Sequence, residues 1–307
     1  MLINTENLIN LFSGYKTVFN TGFQGVTPVY KSIATIVPSS TREETYGWLG
    51  QFPKMREWAG DRIIKGLAAQ SYKIKNRDFE QTISVGRNDV QDDQYGLLSP
   101  MFGEMGRSAA EFPDELCMEL LAAGFTTECY DGEYFFDTDH PVGGNGADLP
   151  ATTVSNFQGG SGSPWFLLDC SRPLKPLIFH ERMPLGNLVR KDQPTDDNVF
   201  MRKEFIYGSD GRCNVGFGLW QMAFASKEDL TASNYEAARA AMSALKGDAG
   251  RPLGIKPDTL VVGPSLEGAA LRLFNNGSRV ETVGNTSVAV QNEWAKTAAL
   301  IVTPWLT

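Results

Sequence analysis

The sequence predicts an α+β fold on three observations. One long amphipathic helix fills residues 99–123, and a block of apolar and aromatic segments between 165 and 226 reads as strands. A helix, a strand–turn–helix unit and a last apolar strand then carry the chain to residue 307. At 307 residues the chain suits two lobes or one elaborated domain. Its hydrophobic fraction of 42% and charged fraction of 21% are those of a chain most of which folds.

In chain order, Asn4 or Thr5 can cap a short helix carrying Leu8, Ile9, Leu11 and Phe12. The stretch FNTGFQGVTPVYKSIATIVPSSTREETYG that follows is turn-rich and buries little by its own pattern. It needs the main body or a neighbouring subunit to hold it. In SYKIKNRDFEQTISV, Tyr72 and Ile74 alternate with polar residues, as do Phe79, Ile83 and Val85. Asn76, Arg77 and Asp78 between them offer a turn, which predicts an antiparallel hairpin. From Lys54 to Arg87 eight bases stand against four acids.

For the long helix, Ser99 can cap, Pro100 suits the first position and Gly124 the exit. Met101, Met105, Ala109, Phe112, Leu116 and Leu120 make its apolar stripe. Pro113 predicts a bend or a restart, because it removes a donor and crowds the preceding turn. From Asp89 to Glu133 there are eleven acids and one base, Arg107. A basic hairpin beside an acidic helix is a dipole within one molecule and a complementary pair of surfaces between copies. Two solvated faces is the plainer reading.

Residues 137–164, with GGNG and GGSGS, read as a loop. Strands are expected at 165–169, 176–182, 199–208 and 214–225, with a turn at Ser209, Asp210 and Gly211. A helix from about Ala232 to Leu245, capped by Thr231 or Ser233, precedes TLVVG, Pro264 and LEGAALRLF. ALIVTPWL closes the chain as a strand.

Net charge −8 and a pI near 5 argue against a dedicated nucleic-acid binder, although not against a protein that encloses nucleic acid. Cys117, Cys129, Cys170 and Cys213 are far apart, which favours free thiols in a reducing compartment over disulfides. The N-terminus lacks the regions of a signal peptide, and no apolar run approaches a membrane span, so a soluble protein folded in a cytoplasm is expected.

Phosphate-loop, dinucleotide and H-E-x-x-H motifs are missing, as are a cysteine–histidine cluster in sequence and G-x-S-x-G. No cofactor and no metal is expected. The one stretch with chemical potential is EYFFDTDHPVGGNG, where Asp137, Asp139 and His140 could ligate a metal. Neighbours on an extended segment diverge, however, and Asp before Pro or Gly commonly makes turns, so a turn-forming loop is the simpler reading. Tyr46, Trp48 and Trp58 are equally readable as core or as anchors against another subunit.

YGWLGQFPKMREWAGDR, SYKIKNRDFEQTISVGRNDVQDDQYG, CYDGEYFFDTDHPVG, PLIFHER and TDDNVFMRKEFIYGSDGRCNVGFGLWQMAFASK, in this order, resemble the major head subunit of Mu-like phages and prophages. The resemblance covers essentially the whole chain. It implies a Hong Kong 97-type capsid fold and no enzymatic activity. The implied organisation is an N-terminal arm at 1–56 and an E-loop hairpin at 57–86. A spine helix with its exit strand spans 87–136, and the glycine-rich loop 137–164. Peripheral-domain strands occupy 165–226 and an axial domain 227–307.

The implied partners are further copies of the chain, in hexamers and pentamers of an icosahedral virion shell around double-stranded DNA. Scaffold, protease, portal and decoration proteins are others, with assembly in the host cytoplasm and no membrane. The expected inter-subunit contacts set Lys73, Lys75 and Arg77 against Asp92, Asp93, Glu104 and Glu111 of a neighbour, with Trp48 and Trp58 as anchors. Two alternatives stand beside this reading: an encapsulin-like cargo shell of the same fold, and a metal-dependent hydrolase using Asp137, Asp139 and His140.

Overall fold

Two five-stranded sheets share one aromatic core. The computed structural model describes residues 3–47, 49, 72–93, 96–142, 152–247, 251–283 and 286–306. The chain begins with α1 (Thr5–Gln24), α2 (Tyr30–Ile33), β1 (Ala34–Pro38) and β2 (Glu43–Tyr46). It continues through β3 (Tyr72–Lys75), β4 (Arg77–Gly86), α3 (Arg87–Asp92) and α4 (Ser99–Ala122). Next come β5 (His140–Val142), β6 (Thr152–Val154), β7 (Phe157–Gly160), β8 (Trp165–Leu168), β9 (Leu177–Met183) and β10 (Leu188–Lys191). Then follow α5 (Asp197–Arg202), β11 (Glu204–Phe217), β12 (Ala223–Lys227), α6 (Ala232–Ser243) and β13 (Thr259–Val262). The last elements are α7 (Glu267–Phe274), β14 (Ser278–Val283), β15 (Thr286–Gln291) and β16 (Ala299–Val302).

The first sheet is built around the 14-residue β11. β4 lies along one of its edges; β10 and β9 lie along the other, and β1 extends the sheet in parallel beyond β9. The expected turn at Ser209–Gly211 is not made. β11 runs through it, because Ser209 is a buried ladder residue and Gly211 leaves room for Leu185, whose Cδ2 would lie 2.5 Å from an added Cβ. Val199–Arg202, expected as strand, belong to α5.

α4 is a continuous 24-residue helix through Pro113, with no restart. Ser99 is its first residue rather than its cap. The chain before it is held by Asp93, which accepts a hydrogen bond from Leu97 N at 3.0 Å. α1 departs further from expectation. It is a 20-residue helix, capped by Asn4, and its stripe of Leu8, Phe12, Tyr15, Phe19 and Phe23 packs on α4 and the first sheet. The spacing of three and four residues continues past Gly14 and Gly22, so residues 5–24 are part of the body, not a loose arm.

Three helical glycines allow this pairing. A Cβ on Gly106 would stand 2.0 Å from Phe19 O, and one on Gly22 would stand 2.1 Å from Gly103 O. α2 is held in turn by buried Asp114 of α4, which accepts from Val29 N (3.0 Å) and Tyr30 N (2.6 Å).

The expected hairpin turning at Asn76–Asp78 is also corrected. β3 pairs antiparallel with β2, and β4 with β11. Asn76 is a buried peg: its Nδ2 donates to Ser39 Oγ and Thr41 O, and its N to Arg42 O. A turn-forming residue with distant partners serves as a clasp instead. Residues 50–71, which join β2 to β3 in the chain, lie outside the described residues, as does Trp48.

The second sheet has the order β16-β13-β8-β12-β7. All four residues of β8, WFLL, are fully buried, as a strand covered on both faces requires. Thr231 caps α6 by accepting from Asn234 N, and Tyr235, Ala238 and Met242 of α6 pack with Ala270 and Phe274 of α7 in the core of this sheet. A division at 226/227 cuts through β12 and parts β8 from β13, so the expected boundary between the two strand blocks does not follow the sheets. Residues 123–136 bridge them: Phe135 stacks on Phe217 of the first sheet (4.1 Å), and Phe136 packs on Phe166 of the second (5.3 Å). The expected loop at 137–164 holds β5, β6 and β7, while GGNG (143–146) lies outside the described residues.

Candidate functional site

The stretch that sequence reasoning singled out is divided by the fold. His140 opens β5 with its ring turned inward and no exposure, stacked on Trp220 at 4.0 Å and 8°. Its Nδ1 lies 2.9 Å from Asp131 Oδ2, and its Nε2 lies 3.2 Å from Asn156 Oδ1. Asp137 turns back on its own segment, accepting from Thr138 N and Tyr134 N. Asp139 is exposed beside it, and a hydrogen bond with Asp137 holds its carboxyl above the usual range.

Asp137, Asp139 and His140 therefore do not converge, and the expected triad is not formed. His140 joins Cys129 and Asp131 instead, while Asp137 and Asp139 stand with Glu133. Sequence inspection missed Cys129, Asp131, Asn156 and Trp220. The available signal was the CYDG turn, in which Gly132 takes φ +93° and Cys129 N donates to Glu133 O, folding Cys129 and Asp131 onto the same side as the returning chain.

Asp131 anchors this cluster. Burial opposes its ionisation, but hydrogen bonds from His140 and Cys129 outweigh it and hold the carboxyl below the usual range. Burial and the adjacent carboxylate push the Cys129 thiol up.

The other buried histidine, His180 of β9, meets the Tyr46 hydroxyl of β2 through Nε2 and is held low by burial. This contact ties β2 to the first sheet, so Tyr46 is a core residue.

The charged residues expected to meet between copies are spread over the surface. Lys73 and Lys75 lie on β3, and Arg77 opens the edge strand β4. Lys73 pairs with Glu43 at 3.2 Å, and the Arg77 guanidinium lies 4.9 Å over Phe79. Asp92 ends α3 in solvent, Asp93 holds Leu97 N, Glu104 is exposed on α4, and Glu111 accepts from Arg107 at 2.9 Å. Among the described residues no ion pair within the chain joins the basic set to the acidic one. Trp58 lies outside the described residues. No helix among the described residues is long and apolar enough to cross a membrane.

Known proteins account for this architecture. The family described as Mu-like prophage major head subunit gpT matches residues 8–306. The major capsid protein of Escherichia phage Mu is 42% identical over 310 residues, covering all of both chains. The Mu-like prophage FluMu major head subunit of Haemophilus influenzae is 43% identical over 298 residues, 95% of each chain. A procapsid structure of bacteriophage JBD30 superposes with a TM-score of 0.82 at 42% identity, covering 99% of this chain and 100% of that one. The JBD30 capsid gives 0.74 at 34% identity over 92% of each. The hydrolase alternative fails on both counts, since its three residues do not meet and the relatives are structural proteins. The chain belongs to the Mu-like prophage major head subunit family, and it is a structural protein of a phage head rather than an enzyme.

Proposed function

We propose that copies of this chain close, as hexamers and pentamers, into the icosahedral shell of a Mu-like tailed phage or prophage, around double-stranded DNA. The full-length likeness to a subunit of the JBD30 procapsid carries the reading. In Hong Kong 97-type terms, α4 is the spine and the first sheet with α1 is the peripheral domain. The second sheet with α6 and α7 is the axial domain, and the β2–β3 excursion is the E-loop. Scaffold, portal and protease partners belong to the same reading. So do decoration proteins, because a JBD30 capsid decorated with minor capsid protein trimers is a 32% identical neighbour.

Elements left incomplete by the subunit favour assembly. The β14–β15 hairpin pairs only with itself in its sheet, and Val280 and Val288 are 71% and 44% exposed. A two-stranded ribbon is marginal alone. The E-loop carries Lys54, Arg56, Arg62 and Lys65 against Glu57 and Asp61, with Lys73, Lys75 and Arg77 behind it. Laid over a neighbour's Asp92, Asp93, Glu104 and Glu111, it makes one weak contact repeated around the shell.

Negative-stain microscopy with light scattering of the purified chain tests the reading. Closed shells or capsomers are expected, and a small stable oligomer overturns it. Replacing Lys73, Lys75 and Arg77 by Glu is expected to abolish shells while the subunit stays folded. Normal shells from that variant remove the basic-loop contact.

A further inference from the structure

We propose that Cys129, Asp131 and His140 form a binding site for one divalent transition-metal ion of the zinc type, buried at the exit of the spine helix. Asn156 sets the donors and acceptors of this cluster. Its Nδ2 donates to Phe135 O at 2.8 Å and reaches Ala223 O and Trp220 O, and its Oδ1 accepts from Asp137 N at 2.9 Å. Reversing the amide would set donor against donor and acceptor against acceptor, so its orientation is fixed.

The atom facing His140 Nε2 is therefore an acceptor, and Nε2 carries the hydrogen. On the other side of the ring, Nδ1 faces a second acceptor, Asp131 Oδ2, at 2.9 Å. A bare nitrogen lone pair does not sit that close to a carboxylate oxygen. Either a proton or a metal ion lies between them.

The third group adds a sulfur donor to the pair. Cys129 Sγ lies 3.0 Å from the other oxygen of Asp131, and the ligand atoms of the three residues all lie within 4.8 Å of one another. The side chains of His140 and Asp131 are 0% and 6% exposed, and Cys129 is buried. A sulfur, an imidazole nitrogen and a two-oxygen carboxylate are a zinc-type donor set, and the carboxylate, taken in both oxygens, completes four donors. Without the ion the same three groups are joined by hydrogen bonds, Cys129 Sγ donating to one oxygen of Asp131 and His140 Nδ1 to the other, so the ion would take the places of two protons. Asn156, holding the far nitrogen of the ring, is the partner that a ligating histidine requires.

Entry of the ion displaces the protons from Cys129 Sγ and His140 Nδ1, so uptake releases protons and strengthens as pH rises. The metal would staple the 128–134 turn to β5 and, through Trp220, to the passage between the two sheets.

The test uses the full-length chain, stripped with chelator and titrated with zinc and with cobalt(II). One equivalent is expected to bind, with a near-ultraviolet sulfur-to-cobalt charge-transfer band in the wild-type protein and a rise in Tm with zinc. His140→Gln and Cys129→Ser are expected to weaken binding by more than about 100-fold, and Asp139→Asn is expected to leave it unchanged. The cobalt spectrum of the wild-type chain is decisive even where a variant fails to fold. Failure of the wild-type chain to bind either metal, binding without the sulfur band, or binding unchanged in folded His140→Gln overturns the site and leaves a proton between His140 and Asp131.

Discussion

α1 and the β14–β15 hairpin are both laid on larger bodies, and they are finished in opposite ways. α1 is closed by its own chain. Leu8, Tyr15 and Phe19 are almost fully buried, Tyr15 stacks on Phe102 at 3.9 Å, and its backbone touches that of α4 at glycines. The hairpin is held at its base. Asn292 there donates to Gly277 O through its backbone and to Leu273 O and Asn276 O through its side chain. Beyond that clasp Val280 and Val288 face solvent. The first region uses its apolar residues in folding the subunit; the second leaves Val280 and Val288 open in the subunit.

The contrast breaks most sharply at Gly106. Valine there must push aside backbone 2.0 Å away, which no rotamer change relieves. Gly106→Val is expected to cost more than about 4 kcal/mol, in the range reserved for severe core disruption. Thermal denaturation of the soluble chain checks it, and a near-wild-type Tm would mean that the helices can separate without loss. Phe19→Ala, which opens a cavity in the same seam, is expected to cost about 3–4 kcal/mol by denaturant titration. Asp114→Ala leaves the Val29 and Tyr30 N–H groups without their acceptor and is expected to cost about 1–3 kcal/mol.

His180 lies between the two extremes, holding Tyr46 of β2 to the first sheet. Its folded pKa is held low by burial, so the unfolded chain takes up the proton first. Stability is therefore expected to fall as pH drops below about 6.5, until the folded form also protonates. The slope from this one group is bounded by roughly 1.4 kcal/mol per pH unit. His180→Gln removes that slope. If the slope persists between pH 5 and 6.5 in the variant, other groups carry it.

What was legible in the sequence were the elements that advertise themselves locally. The Thr231 cap of α6, the strand–proline–helix run of β13 and α7, and the extent of α4 each need only neighbouring residues to be recognised; the α4 stripe itself differs from expectation at its ends, where Phe102 and Leu121 are buried and Met101 is exposed. α1 was under-read because Gly14 and Gly22 interrupt its composition without interrupting its stripe. Gly22 is there to admit α4, a partner invisible to local periodicity. Asn76 looks like a turn because its partners, Ser39 and Thr41, lie more than thirty residues away. The sheets resist sequence reading most. β8 sits between β12 and β13, and no local signal records that order. The cluster at His140 failed for the same reason, because its neighbours in sequence, Asp137 and Asp139, turn outward and its partner Asp131 comes from across a turn.

The smallest effect on the subunit is expected at Val280, and it separates the two regions most cleanly. Val280 is 71% exposed on a ribbon, so Val280→Asp removes little burial and is expected to change stability by less than about 0.5 kcal/mol. Under the assembly reading, the same carboxylate is repeated wherever neighbouring copies cover the hairpin, where a charge must lose its water. The variant is expected to keep the wild-type Tm as a dissociated subunit and to yield few closed particles by light scattering and microscopy. Wild-type particle yield would show that this hairpin stays in solvent after assembly. Its open valines would then have to be explained within the subunit, and the division between elements for folding and elements for assembly would move to the E-loop alone.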